Sequence, residues 1–338
     1  MHYITIKDIA KKLNISISTV SRAFNDKYDI KQETKEHILA TAKEMGYRPN
    51  PMAKNLIQKK SFNIGIVVPE FINGFFPEVI IGAQEILLEK GYQALITQSN
   101  EFYETELKNV QNLENQMVDG ILLSISCETS NTEYYQNLIN SGFPIVLFNR
   151  TNKNLNASKV LFNDYKWAFF ATEHLIMQGY KNIVCLKGAE ALSLTHERVR
   201  GFKDALKKHK IIVHEEKIIP TGFYIEDGMR VANTMIENNT IPDAIFACND
   251  LTAIGAMKVF KKNGFKIPHD IAFVGFTESK IASLIDPPLT SVLQPAKDIG
   301  REAAKLLIAQ IENTNNSYVP QTIILNGTLN IRESSVKI

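Results

Sequence analysis

The residues from Ser16 to Arg22 carry side chains suited to binding an anion, since short hydroxyls precede one long cation. Ser16 can cap a helix whose buried side would hold Val20, Ala23 and Phe24. The opposite side presents Ile17, Ser18, Thr19, Ser21 and Arg22. Hydroxyls and backbone amides suit phosphates, and an arginine reaches a guanine edge with two hydrogen bonds. The pattern therefore predicts a helix that reads the major groove of DNA.

A helix placed just before it strengthens this interpretation. Thr5 and Asp8 have the spacing of a capping box. Apolar side chains then recur at helical spacing, at Ile6, Ile9, Ala10 and Leu13. Asn14 and Ile15 break the run, which predicts a helix-turn-helix. The alternative is a pair of small amphipathic helices in an ordinary core.

A third helix is predicted from Gln32 to Met45, and Gly46 would end it. Its inward side chains would be Ile38, Leu39, Ala42 and Met45. Its start is poorly marked, because Lys31 stands where a capping side chain is expected. Three short helices would thus form a head over residues 1–48.

The segment 49–60 is predicted to be a hinge. Asn50 can cap a helix and Pro51 suits the first helical position. Such a short helix is marginal alone in water, so it would form only when docked. Lys54, Lys59 and Lys60 make a polyanion the natural docking partner. A plain linker is the alternative.

The charge of the chain is unevenly distributed. Residues 1–60 hold 12 Lys and Arg against 6 Asp and Glu, a net charge of +6. The remainder holds 26 basic and 30 acidic residues, a net charge of −4. A positive head on a mildly negative body is the distribution that a DNA-facing module needs.

Composition excludes several other classes of protein. A hydrophobic content of 44% over 338 residues indicates a folded protein of more than one domain. We expect a cytoplasmic protein, because no signal peptide or membrane-spanning run is evident.

Cys127, Cys185 and Cys248 are far apart, which fits reducing conditions and no metal site. No cofactor is expected. The alternatives are an exported binding protein and an enzyme, but the head disfavours the first and no catalytic motif supports the second.

From Asn63 onward, apolar strands alternate with amphipathic helices. Continuous apolar strands in βα units predict parallel sheets covered on both faces, and there are enough units for two. The first series would end with P-I-V-L-F, and the second would begin with K-V-L-F. The predicted subdomains span about 61–160 plus 293–322 and about 161–292 plus 323–338. Ligands in such folds bind at the carboxyl ends of the strands, here in the cleft between the halves.

Several motifs together resemble those of the lac repressor and gal repressor (LacI/GalR) family of bacterial transcription regulators. They are T-I-K-D-I-A, S-T-V-S-R-A-F-N, G-Y-R-P-N-P, A-K-N-L, N-I-G-I-V-V-P, R-V-R-G-F, N-D at 249–250 and D-P-P-L-T-S-V-L-Q-P. The resemblance implies a three-helix helix-turn-helix head and a hinge helix. It also implies a core of two doubly wound parallel-sheet subdomains, like a periplasmic sugar-binding protein. It further implies a homodimer, most often a repressor, on a pseudo-palindromic operator of double-stranded DNA.

The resemblance also assigns roles in DNA binding. Ile17, Ser18 and Arg22 match base-reading positions. The phosphate contacts match Thr5, Ser16, Thr19, Ser21, Asn25 and Tyr47. Asn50 and Ala53 belong to the hinge, and Leu56 matches a leucine that wedges into the minor groove. A buried linker residue is the alternative for Leu56.

The effector site is expected in the cleft, and Arg198 matches the ligand-binding arginine of the family. Asn249 and Asp250 follow the strand A-I-F-A, and Asn149 ends the strand P-I-V-L-F. Rings on which a sugar could pack are Phe75, Phe76, Phe162 and Phe276, although each could equally belong to the core. The site is completed by Thr277.

The chain departs from the family pattern after V-G-F, where sugar-binding members usually carry an aspartate. Thr277 and Glu278 stand there, and the Glu278 side chain is expected to point elsewhere. A carboxylate that grips sugar hydroxyls would be missing there, which disfavours a free neutral sugar. Lys187, Arg150 and Arg198 leave a sugar phosphate or sugar acid open, as well as a purine or a regulatory protein. Dimer contacts are expected from the helices near Phe76–Leu87 and Leu251–Phe260.

Overall fold

The computed structural model describes residues 4–24, 30–47, 60–72, 74–313 and 318–337. The chain divides into two compact units, Met1–Ser61 and Phe62–Ile338. The predicted hinge at 49–60 lies outside the described residues except for Lys60.

Three helices form the first unit: α1 (Ile6–Leu13), α2 (Ile17–Phe24) and α3 (Gln32–Glu44). Ile9, Val20 and Ile38, one from each helix, are fully buried in a single apolar cluster. Burying such side chains contributes roughly 1.5–3 kcal/mol each, so this cluster holds the three helices together.

Both predicted helix caps of the head are confirmed. Asp8 accepts hydrogen bonds from the backbone N–H and the hydroxyl of Thr5, at 2.8 and 2.7 Å. The backbone N–H of Thr19 donates to Ser16 Oγ at 3.0 Å. These bonds satisfy backbone donors that the first turn of a helix leaves without an intrahelical acceptor.

The prediction that Leu39 faces the core of the head is wrong. Ile38 takes the buried position, with Ala42 one turn later, and Leu39 is turned toward solvent. Phe24 and Met45 are only half-buried at the edge of the cluster. The ring of Phe24 packs on that of Tyr47 with a centroid distance of 5.1 Å.

The second unit contains two six-stranded sheets, and the first is entirely parallel. Its order is β11-β5-β4-β3-β1-β2. The strands are β1 (Asn63–Val68), β2 (Gln93–Gln98), β3 (Gly120–Leu123), β4 (Ile145–Phe148), β5 (Ser158–Phe162) and β11 (Thr322–Leu325). The helices are α4 (Phe75–Glu89) and α11 (Ala296–Glu312) on one face, and α5 (Tyr103–Asn115) and α6 (Glu133–Asn140) on the other. We call this part the N-subdomain.

The second sheet has the order β12-β10-β9-β8-β6-β7, and only β12 runs antiparallel to its neighbour. Its strands are β6 (Ile183–Lys187), β7 (Ile218–Pro220), β8 (Ala244–Ala247), β9 (Ala272–Thr277), β10 (Thr290–Leu293) and β12 (Thr328–Asn330). Its helices are α7 (Asp164–Met177) and α8 (Ser193–Lys208) on one face, and α9 (Ile225–Glu237) and α10 (Asp250–Lys262) on the other. A short 3₁₀ helix spans Glu215–Lys217. We call this part the C-subdomain.

The strand K-V-L-F does not open the second sheet, contrary to the sequence-based prediction. As β5 it pairs with β4 of the first sheet, with Val146 opposite Ser158, and with β11, with Thr322 opposite Lys159. The last strands do return to complete both sheets as predicted, since β11 joins the first and β12 the second. Strand pairing depends on contacts distant in sequence, which local patterns do not reveal.

The carboxyl ends of the strands in the two subdomains lie opposite one another. Polar and aromatic residues of both subdomains follow the carboxyl ends of β1, β4, β6, β7, β8, β9 and β10. In open parallel sheets this edge is where ligands bind. Across the described ranges, no helix is both long and apolar enough to cross a membrane.

Candidate functional site

The outer face of α2 carries the side chains predicted to contact DNA. Ile17 is 44% exposed, and Ser16, Ser18 and Arg22 are also exposed. Thr19 and Ser21 are half-buried at the side of the same helix. An exposed apolar side chain beside hydroxyls and an arginine suits the thymine methyl groups and polar edges of base pairs.

Three hydroxyls form a connected group at the start of α2. Ser16 Oγ lies 2.6 Å from Ser18 Oγ and 2.8 Å from Thr19 Oγ1. Hydroxyls grouped at a helix N-terminus match the partial positive charge of that end, and such ends bind phosphates readily.

Other predicted DNA contacts have different surroundings. Thr5 is exposed just before α1, and Tyr47 is half-buried behind α3. Burial raises the pKa of the Tyr47 hydroxyl, so it remains a neutral donor at physiological pH. Asn25, Asn50, Ala53 and Leu56 lie outside the described residues.

A narrow cleft lies between the strand ends of the two subdomains. It is lined by Phe75, Phe76, Asn149, Arg150, Leu194, Arg198, Phe223, Asn249, Thr277 and Gln294. The structure thus brings together six of the nine residues predicted for the effector site. Its free volume is ≈ 20 Å³, little more than one water molecule requires.

Arg198 is the most firmly positioned polar group of the cleft. Its Nε donates to Asp164 Oδ1 at 2.8 Å, and its Nη1 donates to the backbone oxygen of Cys248 at 2.5 Å. The guanidinium carbon lies 3.9 Å from the centre of the Phe276 ring. Burial raises the pKa of Asp164, and the charge of Arg198 opposes that rise. Nη2 makes no hydrogen bond to the described residues, so it remains available to a ligand.

Two buried side chains of the cleft carry polar atoms without a partner among the described residues. They are Asn149 Oδ1, an acceptor, and Gln294 Nε2, a donor. An unsatisfied buried polar atom costs about 1–3 kcal/mol. A ligand that supplied both partners would recover that energy. Asn149 has φ = 57°, a left-handed conformation that asparagine tolerates better than most residues.

Asn249 connects the cleft to α10. Its Oδ1 accepts a hydrogen bond from the backbone N–H of Thr252 at 3.1 Å and caps the helix. The side chain is therefore fixed while the residue still lines the cleft.

Three predicted effector residues do not line the cavity: Phe162, Phe276 and Asp250. Phe276 is fully buried beneath Arg198, and Phe162 packs on it edge to face at 5.8 Å. Asp250 accepts hydrogen bonds from the backbone N–H of Ser279 at 2.5 Å and from Ser291 Oγ at 2.6 Å. These three side chains are buried behind the residues that line the cleft.

The structure around Thr277 agrees with the expected departure from the family pattern after V-G-F. Thr277 lines the cleft with φ = 107°, and Glu278 follows with φ = 58°. The Glu278 carboxylate turns away and binds the guanidinium of Arg332. The position after V-G-F therefore contributes a hydroxyl and no carboxylate.

Sequence reasoning missed Phe223, Leu194 and Gln294, and it left Arg150 as an open possibility. Three of these residues follow a strand end closely: β7 for Phe223, β10 for Gln294 and β4 for Arg150. The strand-end rule that identified Asn149 and Asn249 could have found these three, whereas Leu194 lies in the first turn of α8.

The cleft contains two cations, and both are neutralised. Arg198 pairs with Asp164, and Arg150 Nη1 lies 2.7 Å from Glu101 Oε1. Lys187, which sequence reasoning had left open, pairs with Glu190 and lines a separate surface depression beside α8. Within the described part of the chain, no group of His, Cys, Asp and Glu suits a metal ion.

Comparison with known proteins identifies both units. Residues 5–50 match the family "Bacterial regulatory proteins, lacI family", and residues 172–335 match a "Periplasmic binding protein-like domain". The ribose operon repressor of Halalkalibacterium halodurans is 32% identical over 335 residues, covering 98% of both chains.

Solved structures agree with these matches. A cellobiose complex of the transcriptional regulator CelR is 27% identical, with a TM-score of 0.75 over 98% of this chain and 99% of that one. The lac repressor dimer bound to operator shares the fold at 21% identity, with a TM-score of 0.85 over 99% and 100% of the two chains. These relatives are transcriptional regulators and not enzymes. The identity across nearly the whole chain, together with the helix-turn-helix head, shows that this protein belongs to the LacI family of bacterial DNA-binding transcription regulators.

Proposed function

We propose that the protein is a repressor that binds a pseudo-palindromic operator as a homodimer and is gated by a small sugar-like effector. One observation carries the effector half of this proposal. Arg198, held by Asp164 and by the Cys248 carbonyl, lines the same cleft as two unsatisfied amide atoms, Asn149 Oδ1 and Gln294 Nε2.

The exposed face of α2 supports the DNA half of the proposal. We assign base reading to Ile17, Ser18 and Arg22. The proposed phosphate contacts are Thr5, Ser16, Thr19, Ser21, Asn25 and Tyr47, and the proposed hinge contacts are Asn50, Ala53 and Leu56. The cluster of three hydroxyls at the start of α2, those of Ser16, Ser18 and Thr19, supports the phosphate contacts, because a phosphate accepts several hydrogen bonds at once.

The charges of the cleft favour a neutral effector over a sugar phosphate or sugar acid. Each cleft arginine already faces a carboxylate, Asp164 or Glu101, so an anionic ligand would add an unbalanced charge to a buried site. Hydroxyl groups can satisfy Asn149 Oδ1 and Gln294 Nε2 without adding charge. Relatives and neighbours include a ribose operon repressor and cellobiose-bound and ribose-bound regulators, which agrees with a sugar.

Exposed apolar side chains support a homodimer. Ile81 and Leu88 lie on one face of α4, and Leu88 is 68% exposed. Ile281 and Leu284 are exposed in the C-subdomain. Exposed apolar side chains on both subdomains are typical of an interaction surface. Few apolar side chains of α10 reach the surface, so the proposed C-subdomain contact centres on residues 281–284 instead.

Selection of genomic fragments by the purified protein tests this function. We expect enrichment of a two-fold symmetric sequence, and a mobility-shift assay should then show an affinity change of at least about tenfold on adding the right sugar. Neutral sugars, their phosphates and their acids should be compared at equal concentration. Failure to enrich any duplex would contradict the DNA half, and a response only to phosphates or acids would contradict the neutral effector.

A further inference from the structure

A surface depression of ≈ 400 Å³ lies beside α8 in the C-subdomain. One side is α8, from Thr195 to Lys207, and another is formed by Glu215 and by Ile218, the first residue of the edge strand β7. Lys187, the last residue of β6, also lines it. We call it the α8 depression. Pockets for small molecules commonly measure about 300–1,000 Å³, so it has room for one.

The α8 depression is separate from the effector cleft. Among the described residues, none lines both. Arg198 of α8 lines the cleft, whereas Arg200 and Lys203 of the same helix line the depression. Residues two apart on a helix do not share a face, which explains this division. A molecule in the depression would therefore leave the effector position free.

The lysines of the depression are more buried than the carboxylates that pair with them. The side chain of Lys187 is 19% exposed and that of its partner Glu190 is 67% exposed. Lys203 is 28% exposed, and its Nζ donates to both oxygens of Glu215, which is 74% exposed, at 2.7 and 2.8 Å. His196 Nδ1 lies 3.8 Å from the second oxygen of Glu190. The positive charges thus belong to the wall, and the negative charges reach them from the solvent side.

Two further cations, Arg200 and Lys207, line the depression with exposed side chains. Lys207 Nζ lies 3.4 Å from Asp204 Oδ1, and Arg200 pairs with Glu197, which does not line the depression. Exposed ion pairs contribute little to stability, because water screens both charges. The partner carboxylates can therefore be displaced by an anion of higher charge.

A buried hydroxyl in the wall points to a ligand as well. Thr195 lines the depression from the first turn of α8 and is only 1% exposed. Its Oγ1 makes no hydrogen bond to the described residues. Most buried side-chain polar atoms in proteins have a partner, so this hydroxyl is suited to an oxygen atom of a bound molecule. Val199 and Ile218 add an apolar surface for its carbon part.

We propose that the α8 depression is a second ligand site, which binds a small molecule that carries phosphate. Phosphate oxygens would replace the carboxylates of Glu190 and Glu215 on Lys187 and Lys203 and would accept a hydrogen bond from Thr195. A phosphate group carries close to two negative charges and three acceptor oxygens, so it competes well with a carboxylate for an ammonium group. The site goes beyond the proposed function and does not depend on the identity of the effector.

Calorimetry on the full chain with pyrophosphate as the probe gives the first test. Lys203→Ala should weaken binding by at least about tenfold, because hydrogen bonds to a charged group are lost. Lys305→Ala is the matched control, since Lys305 of α11 is likewise exposed and pairs with a glutamate, Glu302, at 2.7 Å. It should leave the affinity unchanged. Absence of binding, or equal affinity of the wild type and Lys203→Ala, would overturn the proposal.

Two further variants should change the affinity in opposite directions. Glu215→Gln removes the carboxylate that competes for Lys203 and should tighten binding by about twofold to fivefold. Thr195→Val keeps the shape of the side chain without its hydroxyl and should weaken binding by at least about threefold. Glu302→Gln is the control for the first variant and should have no effect. Unchanged binding in both Glu215→Gln and Thr195→Val would contradict the site.

Trace acetylation of lysines, read by mass spectrometry, locates the bound probe. At twice its dissociation constant, pyrophosphate should slow the acetylation of Lys187 and Lys203 about threefold, while Lys305 keeps its rate. Protection confined to lysines of the head would show that pyrophosphate binds only to the DNA-binding surface, and the proposal would fail. Malonate at the same concentration tests the chemical class. Equal protection by this dicarboxylate would overturn the assignment to phosphate.

Discussion

The Nε atom of Arg198 donates to Asp164 at 2.8 Å, which fixes the cleft arginine of α8 to the first turn of α7. Both residues are almost completely buried. The two helices also pack closely at Gly201, where a Cβ atom would lie 2.4 Å from the backbone oxygen of Tyr165. The direction of the ligand-facing guanidinium is therefore set by helix packing within the C-subdomain.

Arg198→Ala should abolish the effector response and lower the free energy of unfolding by about 3–5 kcal/mol, because Asp164 would be left buried without its cation. Urea unfolding measures the second effect. The double variant Arg198→Met, Asp164→Asn should recover much of the stability but none of the effector response. Full recovery of both would show that Arg198 acts only in folding.

The buried carboxyl group of Asp250 should make stability depend on pH. Burial raises its pKa to about 7, although hydrogen bonds from Ser291 and Ser279 oppose the rise and the charge of Glu278 adds to it. The unfolded value is about 3.9, so the folded state binds this proton more tightly. Its contribution is complete below about pH 4 and is lost as the pH rises to about 7, a change on the order of 4 kcal/mol.

Comparison of the wild type with Asp250→Asn isolates this effect, because Glu106 and Asp164 have raised pKa values as well and remain in both proteins. Between pH 4 and pH 7, urea unfolding should show the wild type losing stability relative to the variant. A constant difference over that range would show that Asp250 does not titrate there.

The sequence predicted local elements well because each of them depends on nearby residues. The Thr5–Asp8 and Ser16–Thr19 bonds follow from three-residue spacings, and both are present. The pairing of Ser158–Phe162 with the first sheet was not predicted, since it depends on contact with Thr322–Leu325 far along the chain. Leu39 was misplaced because a helix of low amphipathicity leaves the buried face ambiguous.

Prediction of the site was limited by side-chain direction. Arg198 could be placed from the motif R-V-R-G-F and Asn149 from its position at the end of a strand, and both residues line the cleft. Asp250 was predicted as a ligand contact, but it lies one residue after Asn249 and points to Ser279 and Ser291. Residues adjacent in sequence can face opposite directions, and a sequence pattern alone does not distinguish them.

Close packing of α4 on α11 should make Gly82 intolerant of a side chain. A Cβ atom there would lie 2.0 Å from the backbone oxygen of Lys297. A backbone atom cannot move aside as a side chain can, so Gly82→Ala should lower the free energy of unfolding by at least about 2 kcal/mol. Gln84→Ala, on the same helix and half-buried, is the control and should change it by less than about 1 kcal/mol. Equal stability of the two variants would contradict the contact.

Arg22 should determine sequence preference without supporting the fold, because its side chain is exposed on α2. Arg22→Ala should reduce discrimination between operator and altered half-site by about 1–3 kcal/mol while the melting temperature stays close to that of the wild type. Fluorescence anisotropy with paired duplexes measures the discrimination. Lys43→Ala, an exposed cation in the last turn of α3, is the control and should leave discrimination unchanged. Binding of all duplexes should weaken as salt rises, because lysine and arginine contacts release counterions. Operator preference that survives the loss of Arg22 would assign base reading to other residues of the head.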